Sequence, residues 1–475
     1  MESVQTFILI LILALGPGTQ SENPGFVVRI TQKGLDYARQ QGMIALQKEL
    51  WKIQLPDFSG SYHVDVIGNV HYSFHSLVIR NVQLPGSQVS LLPNVGLKVT
   101  ISGAFIQLGG QWKVRYAFIS NDGDFDLKVE GISISVGLSL GSDAIGRPTV
   151  SPSDCSCHIA DIDVHFSGSF GWLINLFHDS IESGLRSALE DKICPSVIDS
   201  INSQLEPLLQ TLPVTAKIDK VAAIDYSLMG RPTVTADYVD AQLKGEFFEL
   251  SHRSTPPFSP PPLSLPDDHD LMVYFGASEY LFNSAGFVYQ SAGALVFNVT
   301  DDMIPKDFSI RLNTSAFGAL IPQISKMYPD MLMKLQISSP TSPSLNIVPG
   351  NLTISPVLHI QAYAILPNSS LVPLFLLELT TQALVKVAMN VGRIQGHLEL
   401  SKIQIELKHS DVGPFSVSLL NMAVNYYVSN ILLPRVNDIL QKGYPFPLLD
   451  HIQLSDVVIK PYQHFLLFGA NVHYG

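Results

Sequence analysis

Cysteine is scarce in this chain of 475 residues: only Cys155, Cys157 and Cys194 occur. So few thiols cannot make a disulfide framework for a chain of this length, and the fold must rest on apolar cores. Cys194 can pair with either Cys155 or Cys157, closing a loop of roughly 40 residues that the chain-entropy view values at about 4 kcal/mol. The third thiol stays free. A Cys-x-Cys pair with one distant cysteine lacks a fourth zinc ligand, and His158 beside it reads as ordinary surface, so no metal site is expected.

Long hydrophobic runs are missing too. The only sustained one, Phe7 to Leu13, precedes Gly16-Pro17-Gly18 and a small-residue site at Thr19-Gln20-Ser21. It is too short to span a bilayer and reads as a signal peptide over Met1–Ser21. Its removal leaves about 454 residues, a length that predicts two or three domains in a soluble, secreted chain.

Catalytic motifs are absent. There is no Gly-x-Ser-x-Gly elbow, no His-Glu-x-x-His, no phosphate loop and no Gly-x-Gly-x-x-Gly. Asp267-Asp268-His269-Asp270 is the densest polar cluster, and it follows a proline run where solvated linker is expected. Neither enzyme activity nor a cofactor is indicated.

Positive charge is also short. The formal net charge is -12, and only Glu22 to Ser120 is basic, with nine Lys/Arg against five Asp/Glu. From Asn121 to Leu250 the balance is eight against twenty, and from Ser251 onward twelve against fifteen. A broad nucleic-acid-binding surface is disfavoured, whereas a local anion-binding patch in the opening segment is compatible with these numbers.

What the chain does have is a duplicated plan. Pro256, Pro257, Pro260, Pro261 and Pro262 mark a stiff linker over 251–270, separating an N-terminal unit, 22–250, from a C-terminal unit, 271–475. Each unit carries a long apolar helix pattern with one proline: Ile193-Cys194-Pro195-Ser196-Val197 in the first, Leu432-Leu433-Pro434-Arg435-Val436 in the second. The first has an apolar residue at every fourth position from Leu173 to Leu205. Such a row drifts about 40° per step on a straight helix, so the helix either winds around a sheet or bends at Pro195.

Apolar spacing further predicts helices over Val28–Ile53, Ser278–Ser291, Ala316–Tyr328 and Phe415–Gln441. Alternation at Leu97, Val99, Ile101, then Phe125, Leu127, Val129, then Ile132 to Leu140, predicts antiparallel strands, with turns at Gly109-Gly110, Asn121-Asp122-Gly123 and Gly131. Strands recur in the second unit at Leu398, Leu400, Ile403, Ile405 and Leu407. Curved sheets with long helices can leave an apolar space that side chains do not fill. Four Asn-x-Ser/Thr sequons, at Asn298, Asn313, Asn351 and Asn368, all fall in the second unit and are expected to carry glycans.

Several segments carry a resemblance that runs the length of the mature chain. They include Asn23-Pro24-Gly25-Phe26-Val27-Val28-Arg29-Ile30, Gln32-Lys33-Gly34-Leu35-Asp36-Tyr37-Ala38, Leu92-Pro93-Asn94-Val95-Gly96-Leu97-Lys98, Gly171-Trp172-Leu173-Ile174, Thr211-Leu212-Pro213-Val214, Asp302-Met303-Ile304-Pro305 and Phe465-Leu466-Leu467-Phe468-Gly469-Ala470. In these the chain resembles the family of bactericidal permeability-increasing and lipopolysaccharide-binding proteins, within the lipid-transfer proteins.

The resemblance implies an α+β boomerang of two barrels, each a strongly twisted antiparallel sheet with two helices, joined by a central antiparallel sheet. It implies a bound phospholipid in each barrel, a Cys155–Cys194 disulfide with Cys157 free, and a lipopolysaccharide site at the N-terminal tip. Basic positions of the cationic relative are occupied here by His63, Asp65, Asn69, Gln111, Tyr116, Ala117 and Ser120. Lys48, Lys52, Lys113 and Arg115 remain as candidates for phosphate contacts, with Trp112, Tyr116 and Phe118 as candidates for inserting among acyl chains.

The function so implied is a secreted, extracellular, monomeric, antibacterial protein of innate immunity, stored in granules before release, that binds lipopolysaccharide, phospholipid and the bacterial outer membrane. The depleted tip charge predicts weaker bactericidal action than in a strongly cationic relative. The alternatives are a phospholipid or neutral-lipid carrier without endotoxin binding, and an adaptor presenting lipopolysaccharide to host receptors.

Overall fold

The computed structural model describes residues 23–65, 68–166, 178–306, 308 and 310–475. The expected signal peptide, Met1–Ser21, and the Gly171–Ile174 segment lie outside the described residues. The chain begins with strand β1 (Phe26–Thr31), which passes directly into helix α1 (Gln32–Leu50). Thr31 caps the junction, its Oγ1 accepting from the Gly34 N–H. The helix thus starts four residues later than its apolar spacing indicates. Val28 to Thr31 are held in β structure by ladders on both sides, to Tyr238–Leu243 and to Val273–Ser278.

Strands β2 (Phe58–Val64), β3 (Gly68–Gln83), β4 (Gly86–Leu92), β5 (Gly96–Tyr116), β6 (Ile119–Ser142) and β7 (Pro148–Phe166) follow. They form one antiparallel sheet in the order β2-β3-β5-β6-β7, with β4 on the remaining part of β5. At 21 and 24 residues, β5 and β6 are each about 70 Å or more of continuous strand.

Three turns expected within that region are not turns. Gly109-Gly110 lies inside β5, Asn121 to Gly123 inside β6, and Gly131 occupies a bulge where the β5–β6 register shifts. The glycines answer a different need. A Cβ on Gly110 would stand 2.7 Å from the Phe125 ring, and Gly131 sits at φ +65°. Backbone close approach and sheet curvature, not chain reversal, are what they permit.

One face of the sheet buries Leu108, Trp112, Val114, Phe125, Leu127, Val129, Ile132 and Ile134 against α1 and against helix α2 (His178–Ser200). From α2 the buried row is Leu185, Leu189, Ile193 and Val197, continued by Ile201. Pro195 lies within the helix, and a wide π turn over Ile201–Leu205 follows it. An i→i+5 turn resets the phase of a drifting row, which keeps Ile201 inside while Leu205 emerges.

The second unit repeats the plan with different details. Its sheet orders Val296–Thr300, Leu332–Ser338, Val357–Ile365, Leu371–Asn390, Asn351–Ile354 and Leu345–Val348, with Arg393–Ser410 also on Leu371–Asn390. The helix Glu279–Ser291 is capped by Ser278. The single helix expected over Ala316–Tyr328 is two, Thr314–Gly318 and Pro322–Met327, because Pro322 cannot donate back into a preceding turn. The last long helix runs in pieces: a 3₁₀ turn (Val417–Leu420), Asn421–Tyr427, a π turn (Val428–Leu432), then Leu433–Lys442 with Pro434 in its first turn.

A central antiparallel sheet takes strands from both units, in the order Thr233–Val234, Tyr238–Leu243, β1, Val273–Ser278, Phe465–Tyr474, Ile452–Tyr462. Beneath it, Phe446 meets Phe26, Phe275 and Phe468 edge-on at centroid separations of 5.5, 4.9 and 5.0 Å. The proline linker crosses this region without regular structure. It is tied down by Arg29, which forms two 2.8 Å bonds to the Asp240 carboxylate, donates to Pro266 O, and stacks on Tyr238.

Candidate functional site

Two hairpins form the far end of the N-terminal sheet. The β2–β3, β3–β5 and β5–β6 ladders put Tyr62 opposite Val70, Val70 opposite Tyr116, and Tyr116 opposite Ile119. Strict alternation then sorts the side chains. Phe58, Phe74, Trp112 and Phe125 point inward, with Phe58 stacked on Phe74 at 4.7 Å and Phe74 edge-on to Phe125 at 5.2 Å. Trp112 is 0 % exposed and its indole N–H donates to Asp124 O at 3.2 Å. Trp112 is therefore a core residue of the tip and not a surface anchor. Its neighbours in sequence, Lys113 and Arg115, take the other face.

The apex itself is apolar. Ala117 turns the chain at φ +47°, Phe118 is 105 % exposed and Ile119 is exposed beside it. An aromatic side chain wholly in water at a hairpin apex is costly unless something covers it in use. Arg115 stands one residue and Lys113 three residues behind Tyr116, the partner of Ile119, with Lys113 across from Ser73 on β3 and Asp122 on β6, and Arg115 across from His71 and Ser120.

Lys48 and Lys52 come from a different element, the last turn of α1 and the residues just past it. Gln47, on the last turn of α1, donates to Val82 O, in the row of Ile106. That row is seven β5 residues short of Lys113, roughly 20 Å away. Lys52 is moreover paired to Glu49 at 2.6 Å, while the Lys48 side chain is exposed. The four candidate cations thus come from two elements, Lys48 and Lys52 from the end of α1 and Lys113 and Arg115 from β5. Two residues that motif spacing did not single out, His71 and His75, face outward on β3 beside Lys113 and Arg115. Only the β3–β5 register brings them together, and that register is not written in either strand alone.

Residues 34–212 match the N-terminal domain of the LBP / BPI / CETP family and residues 216–474 its C-terminal domain. The chain belongs to this family. It is 48% identical to the lipopolysaccharide-binding protein of Bos taurus, covering 99% of this chain and 98% of that one. It is 41% identical to the bactericidal permeability-increasing protein of Rattus norvegicus over 96% and 95% of the two chains, and 28% identical to the human phospholipid transfer protein over 98% and 93%. A crystal structure of lipopolysaccharide binding protein matches with a TM-score of 0.70 at 47% identity, covering 95% of this chain and 99% of that one.

Within this LBP / BPI / CETP fold, Cys155 and Cys194 are joined, fastening α2 to β7 with Cα atoms 5.8 Å apart. Cys157 is left free two residues along the same strand, half-buried, its thiol pushed up to about 11 by burial and by the nearby Glu190 carboxylate. Of the sequon asparagines, Asn298, Asn351 and Asn368 are exposed; Asn313 is half-buried and caps Thr314–Gly318 through its Oδ1. The Asp267–Asp270 cluster leads from the linker into the central sheet, with Asp270 O accepting from Lys33 Nζ. Among the described residues no helix is long and apolar enough to cross a membrane.

Proposed function

We propose that this chain is a secreted, non-catalytic lipid-binding protein of innate defence that engages lipopolysaccharide at the N-terminal tip and holds phospholipid within its two units. The observation that carries the reading is the tip itself, an exposed Phe118–Ile119 finger backed by Lys113 and Arg115. Amphipathic, phosphorylated lipid needs both parts. Cations make charge-assisted bonds to phosphate, while each methylene withdrawn from water contributes about 0.8 kcal/mol before ordering costs. Near half identity to proteins named lipopolysaccharide-binding protein supports the same ligand. The signal-peptide pattern and the sequons support secretion.

One observation favours a second reading, a phospholipid carrier without endotoxin binding. Asp122 faces Lys113 across the β5–β6 ladder, which weakens the attraction of the tip for phosphate. Titration of the purified chain with lipopolysaccharide at low and at physiological salt separates the two. The first reading expects saturable binding that weakens as salt rises; no binding at low salt leaves the carrier reading standing.

A further inference from the structure

The outer face of the tip carries more histidine than fixed positive charge. On β3, His71 lies opposite Arg115 and His75 opposite Gln111; on β2, His63 lies opposite Asn69 and takes a 2.6 Å hydrogen bond between its Nδ1 and Asn69 Oδ1. His63 and His71 are exposed and His75 is half-buried. Alternation places all three imidazoles on the side that holds Lys113 and Arg115, away from the aromatic core.

The groups around them carry a net negative charge. From β2 and its flanks come Ser59, Ser61, Asp65 and Asp57, the last accepting from the Ser76 N–H at 3.1 Å. From β5 come Gln111, Lys113 and Arg115, and behind them on β6 Ser120, Asp122 and Asp124. At neutral pH this face therefore sets two cations against four carboxylates. An imidazole takes up its proton between about pH 8 and pH 5, a range in which exposed carboxylates stay ionised. With all three imidazoles protonated, the same face would set five positive charges against four negative ones, with the exposed Phe118 and Ile119 at its edge. Among the described residues neither Lys113 nor Arg115 forms an ion pair, so both remain available to a ligand.

We propose that the tip is an acid-gated site for net-anionic, phosphate-bearing lipid surfaces: protonation of His63, His71 and His75 converts it from a weak to a strong anion-binding face, and the Phe118–Ile119 finger then enters the apolar layer. The proposal rests on the tip reading given above and adds its regulation. Near an anionic surface each added cation strengthens binding severalfold, so three predict a gain of at least about tenfold.

The test uses the full chain with three kinds of vesicle: phosphatidylcholine alone, phosphatidylcholine with phosphatidylglycerol, and phosphatidylcholine with lipid A, each at pH 7.4 and pH 5.5. The expected result is binding at least about tenfold tighter at pH 5.5 on vesicles that carry phosphate monoesters or net anionic headgroups. A gain on both anionic vesicles assigns the gate to their shared chemistry, and a gain on lipid A vesicles alone assigns it to lipid A. In the triple variant His63→Gln, His71→Gln, His75→Gln the ratio of affinities at the two pH values should collapse to near one. A wild-type ratio near one, a gain that survives in the triple variant, or an equal gain on phosphatidylcholine alone overturns the gate. The tip reading fails separately, if Lys113→Ala with Arg115→Ala binds anionic vesicles as the parent does at both pH values.

Discussion

Cys157 shows how position decides what a residue can do. It lies two residues from a disulfide, yet its thiol is pushed up to about 11, because burial and the Glu190 carboxylate both disfavour the thiolate. Since the thiolate is the reacting species, Cys157 should resist iodoacetamide at pH 8 in the native chain and react fully once urea unfolds it, as peptide mass spectrometry can show. Asp225 behaves in the opposite sense. Burial alone would raise its carboxyl, but the Ser227 hydroxyl and N–H and the Arg253 guanidinium outweigh it and hold it below the usual carboxylate range. A depressed folded value means stability that is present above the unfolded carboxylate value and lost as pH falls through the folded one. Asp225→Asn should therefore cost at least about 1.5 kcal/mol in urea unfolding at pH 7, and the gap to the parent should close toward pH 3. Neither environment was legible in sequence. Nothing near Asp225 in the chain announces Arg253, and the choice of Cys155 over Cys157 came through resemblance, since the spacing allows both.

Among the elements, strands were easier to read than the points where they turn. Alternation from Leu97 to Leu140 located β5 and β6, because a half-buried sheet imposes a period of two on any sequence that forms it. The glycines misled, since close approach to Phe125 or a bulge asks for glycine as surely as a turn does, and the real reversal at Ala117–Phe118 contains none. Helix pieces were blurred for a related reason: apolar spacing continues through Pro322 and through both π turns. The long helices also share a device that no spacing reveals. Glu190 accepts from Ile159 N–H and Arg186 donates to Ile159 O, bracing β7; in the second unit Asn437 accepts from Leu398 N–H at 2.8 Å and donates to Leu398 O at 3.2 Å. Asn437→Ala leaves both strand groups without that partner and should cost about 2 kcal/mol, with faster amide exchange at Leu398. At the tip, Phe118→Ser removes a side chain that touches only solvent. It should leave the thermal midpoint within a degree or two while weakening adsorption to lipid A vesicles several-fold.

At the scale of the whole molecule, the two units are joined more firmly than a linker between domains implies. The central sheet interleaves their strands, the Phe26–Phe275–Phe446–Phe468 cluster draws on both, and Arg29 binds the linker to β1. Arg29→Met strands the Asp240 carboxylate and frees Pro266 O, and should lower stability by about 3 kcal/mol in a single unfolding transition shared by both units. Two transitions would mean that the units unfold apart. Duplicated sheets, each with long helices against its apolar face, are the architecture expected of a protein that keeps lipid out of water. The most direct test of that claim is quantitative mass spectrometry of an organic extract from the purified chain. Phospholipid at a fixed molar ratio to protein, surviving extensive detergent-free purification, is the predicted result. An extract free of lipid, from a chain that also fails to take up phospholipid from vesicles, would contradict it.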